Sequence, residues 1–237
     1  MNNSTALVTG ANKGIGKEIA RQLAAAGLTV YVGSRDPGAG QRAVDEIGGN
    51  VRLLILDVTD EQSVADVAHQ VENLDILINN AGISVDPHPV TEAEVDSFRR
   101  TYETNVFGVV AVTNAFLPVL RRSARPRIVN ISSGTGSLGW STGPQAHFPT
   151  TGSLAAYRSS KTALNALTVF YAHALAGEGF KVNALAPGLR KTDLNATAAA
   201  SGGDPAEAAA GAVRLALLPD DGPTGEFLSW DGTPVPW

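Results

Sequence analysis

The sequence predicts an α/β fold: a doubly wound, mostly parallel seven-stranded sheet flanked by helices, in a single domain of 237 residues. Three observations carry this. Short apolar runs of strand length alternate with amphipathic helical segments along the whole chain. Small-residue or glycine-rich turns follow several of those runs, where a parallel sheet needs its connections. No fixed-period repeat breaks the rhythm, and a chain of this length can build its own core.

In chain order, Thr5–Val8 reads as a short buried strand, followed by a glycine-rich turn and an amphipathic helix over 16–26. Gly27 ends that helix, since glycine accepts the left-handed conformation past a last turn. Residues 28–32 read as strand, 36–47 as helix and 51–56 as a third strand, then 60–71 as helix and 75–78 as strand. A longer helical stretch covers 92–120, with an interruption expected near 97–101, and Arg127–Ile131 is the fifth strand. Residues 155–176 are helical, 181–185 strand, 205–217 helix and 224–229 a last strand. Right-handed crossovers place the loops after the strands on one edge, where an open α/β sheet binds its ligand. Function is therefore expected just after Val8, Val32, Leu56, Ile78, Ile131 and Leu185.

Composition removes several classes of function. With no cysteine, the chain has no disulfide framework, thiolate nucleophile or sulfur-ligated metal. His69, His88, His147 and His173 have no metal-ligand spacing, so no metal is expected. Eighteen Lys and Arg against 23 Asp and Glu give a net charge of -5 without a long block of either sign. The dense basic cluster Arg121, Arg122, Arg125 and Arg127 ends a helix, where solvation and the helix dipole account for it. No nucleic-acid partner is expected. The opening MNNSTALVTG is neither a secretory leader nor an anchor, and the apolar strand runs are too short to span lipid, so a cytoplasmic protein without a membrane partner is expected.

The segment after the first strand carries Gly10, Asn12, Lys13, Gly14, Ile15 and Gly16. Gly10 makes the tight turn, Gly14 admits a pyrophosphate to the backbone, and Gly16 lets helix and sheet pack closely. The helix N-terminus then offers N–H groups to phosphate. In this strand-turn-helix setting the pattern predicts dinucleotide binding and a Rossmann-like sheet. At the end of the second strand, Ser34 stands where a ribose-binding carboxylate is usual, and Arg35 follows. With Lys13 this offers positive charge to a 2′-phosphate, so NADP(H) is expected over NAD(H) unless Asp36 turns inward. Asp57 and Val58 are candidates for the adenine, although Asp57 can also serve a turn. Asn79, Ala81 and Gly82 follow the fourth strand, where compact residues can pass close to a cofactor.

Tyr157 and Lys161 are four apart on one helix and share a face. Cations favour phenolate, so Lys161 and the positive nicotinamide of an oxidised cofactor are expected to move the tyrosine pKa from about 10 toward about 7, roughly 4 kcal/mol at 1.36 kcal/mol per unit. Tyr157 then exchanges a proton with a forming alkoxide or an alcohol. Ser133, after the fifth strand, polarises a carbonyl oxygen; Ser132 faces the other way and serves the turn.

Together these residues resemble the short-chain dehydrogenase/reductase family of classical type, over almost the whole chain. The resemblance implies that Asn105, within Thr104-Asn105-Val106-Phe107-Gly108, joins Ser133, Tyr157 and Lys161 as a catalytic residue through a water-linked relay. It also implies that Lys161 holds the nicotinamide ribose, with Pro187, Gly188 and Thr192 beside the nicotinamide. Asn12-Lys13-Gly14, Ser34-Arg35-Asp36, Lys191 through Asn195 and the Gly222-Pro223-Thr224-Gly225 ending are similar to the carbonyl-reductase-like branch. That branch reduces aldehydes and ketones with NADPH.

Ser133 and Tyr157 are 24 positions apart, longer than in many family members. This substrate-side insertion, 134–156, contains Trp140, Gln145, His147 and Phe148, with Trp140 and Phe148 the candidates for contact with a hydrophobic carbonyl substrate. Residues 189–212, rich in alanine and glycine, are expected to form a substrate-binding lid. Carbonyl reductases with longer insertions favour a monomer over a homodimer or homotetramer. Alternatives are a secondary-alcohol or sugar dehydrogenase working oxidatively, or a nucleotide-binding regulatory protein on the same scaffold.

Overall fold

The computed structural model describes residues 4–142, 146–148 and 151–237. Its strands are β1 (Thr5–Val8), β2 (Thr29–Ser34), β3 (Val51–Ile55), β4 (Ile76–Asn79), β5 (Arg127–Ile131), β6 (Lys181–Ala186) and β7 (Phe227–Ser229). They form one seven-stranded sheet in the order β3-β2-β1-β4-β5-β6-β7, and every neighbouring pair is parallel. The helices are α1 (Gly14–Ala25), α2 (Pro37–Ile47), α3 (Glu61–Gln70), α4 (Val95–Tyr102), α5 (Gly108–Leu120), α6 (Ala155–Ala174), α7 (Ala196–Ser201) and α8 (Pro205–Ala216).

The apolar strands are buried on both faces because successive side chains point to opposite sides. Ala6 and Val8 of β1 pack with Ile19 and Leu23 of α1 and Ala212 of α8. Leu7 faces the other way, into Val67 of α3, Phe116 of α5 and Ala172 of α6. Three helices start where a carboxylate meets otherwise unpaired N–H groups: Asp36 accepts from Ala39 N at 2.9 Å, Asp60 from Gln62 N at 2.9 Å and Asp204 from Ala206 N at 2.8 Å. Pro37 and Pro205 add the fixed φ that suits a first helical position.

The expected break in the long helix lies later than 97–101. Glu103–Phe107 is a π-helical turn between α4 and α5. Gly108 lets this turn close on the loop after β3, because a Cβ there would lie 2.9 Å from the Val58 carbonyl. The continuous run Val95–Leu120 is long and apolar enough to cross a membrane, yet 56% of its apolar window is buried inside the protein. At the other end, β7 starts at Phe227 and not at 224, because Thr224 Oγ1 accepts from Val182 N and Gly225 takes a left-handed φ of 76°.

The arginine cluster is engaged internally. Arg121 pairs with Glu178, Arg122 donates to the Glu72 carbonyl, and Arg125 and Arg127 share Asp220. Arg127 is 2% exposed, so solvation does not account for it. Its guanidinium satisfies the Leu218 carbonyl at the end of α8.

Candidate active site

A cleft of about 570 Å³ opens along the edge formed by the C-terminal ends of the strands. The turn after β1 builds one wall. Gly10 has φ of 62°, and a Cβ on it would sit 2.9 Å from Ala81 Cα; at Gly16 a Cβ would strike the Asn80 amide. Thr9 Oγ1 accepts from Asn80 N and Ala81 N, each at 3.0 Å, tying this turn to the loop after β4. Gly10, Asn12, Lys13, Gly14, Ile15 and Gly16 all line the cleft. Lys13 precedes α1 without a side-chain cap, so the first-turn N–H groups stay available to an anion. This glycine cradle, which a Cβ would fill, fits a dinucleotide pyrophosphate.

Ser34, Arg35, Asp57 and Val58 line the next stretch. The Asp36 carboxylate is engaged with the start of α2, and Ser34 Oγ donates to the Asp36 carbonyl at 2.8 Å. Arg35 is exposed and in no ion pair among the described residues. Lys13 Nζ lies 3.1 Å from Asp193 across the cleft, with both side chains largely exposed. Asp57 Oδ1 accepts from Thr59 N at 2.9 Å and Thr59 Oγ1 at 2.7 Å, so its turn role and its place in the cleft coexist.

At the far end, α6 presents Tyr157 and Lys161 to the cleft. The Ser133 hydroxyl hydrogen-bonds the Tyr157 phenol and Thr135 Oγ1, the latter at 2.8 Å. Lys161 Nζ donates to the Ile131 carbonyl at 2.8 Å and lies 5.7 Å from the centre of the Tyr157 ring. Asn105, fully buried in the π turn, accepts from Ile83 N at 2.9 Å and donates to Ile83 O and Ser160 Oγ, each at 3.0 Å. Gly82 stands between them: a Cβ there would lie 3.3 Å from Asn105 Oδ1 and 3.5 Å from Lys161 Nζ. Ser132 Oγ turns away and donates to Asn165 Oδ1 at 2.6 Å.

Lys161 alone does not produce the expected lowering of the tyrosine. Burial pushes the Tyr157 phenol up to about 12, only partly opposed by the Ser133 hydrogen bond. Burial also brings Lys161 down to about 8. Desolvation dominates because the ammonium is directed at the Ile131 carbonyl and makes no hydrogen bond to the phenol oxygen. In the cofactor-free protein Tyr157 is a neutral acid.

Of the expected contacts, Asn79, Gly188, Trp140 and Phe148 lie outside the lining of the cleft, as do Ser133 and Asn105. Asn79 does not line the cleft: it is 2% exposed and donates to Thr113 Oγ1 and Asn130 Oδ1 beneath the sheet. Its neighbour Asn80 lines the cleft instead, because adjacent strand-end residues face opposite ways. Gly188 also lies outside the cleft wall and packs on Trp230, leaving Pro187 and Thr192 there. Trp140 and Phe148 cover the turn after Ser133, where a Gly134 Cβ would lie 2.9 and 3.3 Å from their rings, but do not line the cleft. Trp140 also stacks with His147 at 4.8 Å. Gln145 lies outside the described residues. Thr9 and Asn80 were missed; their signal was a hydroxyl ahead of the glycine turn and a second asparagine at the end of β4.

The short chain dehydrogenase family model matches residues 4–201. Among similar proteins, salutaridine reductase of Papaver bracteatum is 35% identical, covering 94% of this chain and 93% of its own. (-)-Isopiperitenone reductase of Mentha piperita is 34% identical, covering 95% and 96%. The solved structure of NADPH-bound carbonyl reductase from chicken fatty liver superposes with a TM-score of 0.85 at 30% identity over 100% of both chains. The chain belongs to the short-chain dehydrogenase family, in its carbonyl-reductase-like branch.

Proposed function

We propose that the protein is an NADPH-dependent reductase of small hydrophobic ketones or aldehydes. The observation that carries this reading is that Tyr157 and Lys161 line one end of the cleft that the glycine cradle begins, with the Ser133 hydroxyl hydrogen-bonded to the Tyr157 phenol. A bound nicotinamide supplies the hydride. Ser133 and Tyr157 orient the substrate carbonyl by hydrogen bonds, and Tyr157 donates its proton to the oxygen as negative charge develops there. Protonated Lys161 holds the nicotinamide ribose and stabilises the phenolate left on Tyr157, with Asn105 in a water-linked relay that returns the proton.

Preference for the phosphorylated cofactor rests on Arg35 and Lys13, since the Asp36 carboxylate is occupied with α2. Each charge-assisted bond contributes roughly 1.5–3 kcal/mol. The similar proteins named as salutaridine and isopiperitenone reductases support a hydrophobic, ring-bearing substrate. The test follows absorbance at 340 nm with NADPH, then NADH, against aromatic, cyclic and aliphatic ketones, diketones and quinones. Substrate-dependent loss of NADPH is expected. Faster turnover with NADH overturns the cofactor assignment, and NADPH binding without any turnover favours a nucleotide-binding regulatory role.

A further inference from the structure

Arg190 is a buried cation outside the Ser-Tyr-Lys set. It is 6% exposed and sits three residues past Pro187, which lines the cleft. Its Nε donates to the Pro187 carbonyl at 2.7 Å, its Nη1 pairs with Glu207 in the first turn of α8, and its guanidinium lies 4.3 Å over the Trp230 ring. The backbone beside it is fastened too. Gly203 N donates to Leu189 O at 3.0 Å and Lys191 N to Gly203 O at 2.8 Å, closing the segment 190–203 into a loop with a fixed root. Glycines make room for this: a Cβ on Gly203 would sit 2.7 Å from Arg190 Nη1, and one on Gly202 would strike the Arg190 backbone.

That loop carries Thr192, Asp193 and Leu194, which close the cleft opposite the glycine turn. Thr192 Cγ2 would lie 3.2 Å from a Cβ on Gly14. The strap therefore reaches the cleft from an anchor made of α8 and the end of β7, whereas Ser34, Arg35 and Asp57 hang on β2 and β3. The two halves of the cleft hang on different elements, and the Lys13–Asp193 pair that links them is largely exposed and therefore weak.

We infer that Arg190 is a positioning residue that sets the Pro187–Thr192 strap, and so the nicotinamide half of the cofactor site, and reaches the adenosine half only through the exposed Lys13–Asp193 pair. The inference rests on the nicotinamide-cofactor reading above. A planar guanidinium can hold the Pro187 carbonyl and the Glu207 carboxylate at once while stacking on Trp230; a methionine holds neither and a lysine only one.

The experiment titrates NADPH and 2′,5′-ADP into the wild-type protein and its Arg190→Met, Arg190→Lys and Glu207→Gln variants, with urea unfolding alongside. Arg190→Met should weaken NADPH tenfold or more and leave 2′,5′-ADP within twofold, with Arg190→Lys recovering part of the loss. Unchanged NADPH binding in Arg190→Met, or equal weakening of both ligands, overturns the inference. Should Arg190→Met not fold, Glu207→Gln carries the test: NADPH alone weakened about threefold or more supports it, and no change overturns it. Failure of the wild-type protein to bind NADPH would instead count against the cofactor reading itself.

Discussion

Tyr157 and Lys161 lie one helical turn apart, and loss of water drives their titrations apart in opposite directions: the phenol up to about 12 and the amine down to about 8. The protonated amine donates more strongly than the neutral one, so the proposed ribose contact favours the charged lysine. The Kd for NADPH should rise as pH climbs through about 8, and Lys161→Met should abolish that dependence in a calorimetric titration. The same shift gives the sign for stability. The folded protein releases this proton before the unfolded chain does, so burial of the charged lysine costs stability below about pH 8 and the cost fades as pH rises toward 10.5. At the adenosine end, Arg35→Asp should raise the NADPH KM at least tenfold and leave the NADH KM nearly unchanged. Ser133, Tyr157 and Lys161 were readable because each follows a strand or shares a helix face at fixed spacing. The choice between Asn79 and Asn80 was not, since two identical side chains at a strand end differ only in the face they take.

Among the elements, the starts of the helices near 36, 60 and 205 were legible to within one residue, and the structure supplies the caps that fix them. Asp36, Asp60 and Asp204 each precede an apolar-periodic run, and each caps its helix. Asp60→Ala, remote from the catalytic end, should cost about 1 kcal/mol of unfolding free energy in urea. The π turn at Glu103–Phe107 left almost no trace, because one extra residue in a turn barely shifts a hydrophobic period. Its effect is nevertheless specific: it delivers Asn105 to Ile83 and Ser160, and so ties the β4 loop to α6. The short helix α7 within 189–212 was likewise unforeseen, its alanine-rich run carrying too little pattern to separate helix from coil. Its start is nonetheless specified by Asn195, whose side chain accepts from Ala198 N at 2.9 Å.

For the molecule as a whole, the parallel sheet makes one layer of apolar side chains on each face and leaves one edge for chemistry. Phe116 is fully buried in the layer under α3, α5 and α6. Phe116→Ala should cost about 3–5 kcal/mol, read from urea unfolding, with the NADPH Kd unchanged in the protein that remains folded. The parallel, doubly covered sheet followed from short apolar runs alternating with helices, whereas its strand order and the role of the insertion at 134–156 did not: aromatic residues near Ser133 suit a substrate wall and a packed turn equally well. Trp140 and Phe148 pack over Gly134. The claim on which the rest depends is that Tyr157 moves the proton while the cleft holds NADPH independently of it. The measurement is NADPH affinity and ketone turnover in Tyr157→Phe beside the wild-type protein. The account predicts a Kd within about threefold of wild type and turnover lower by roughly 10²–10⁴; retained turnover would contradict it.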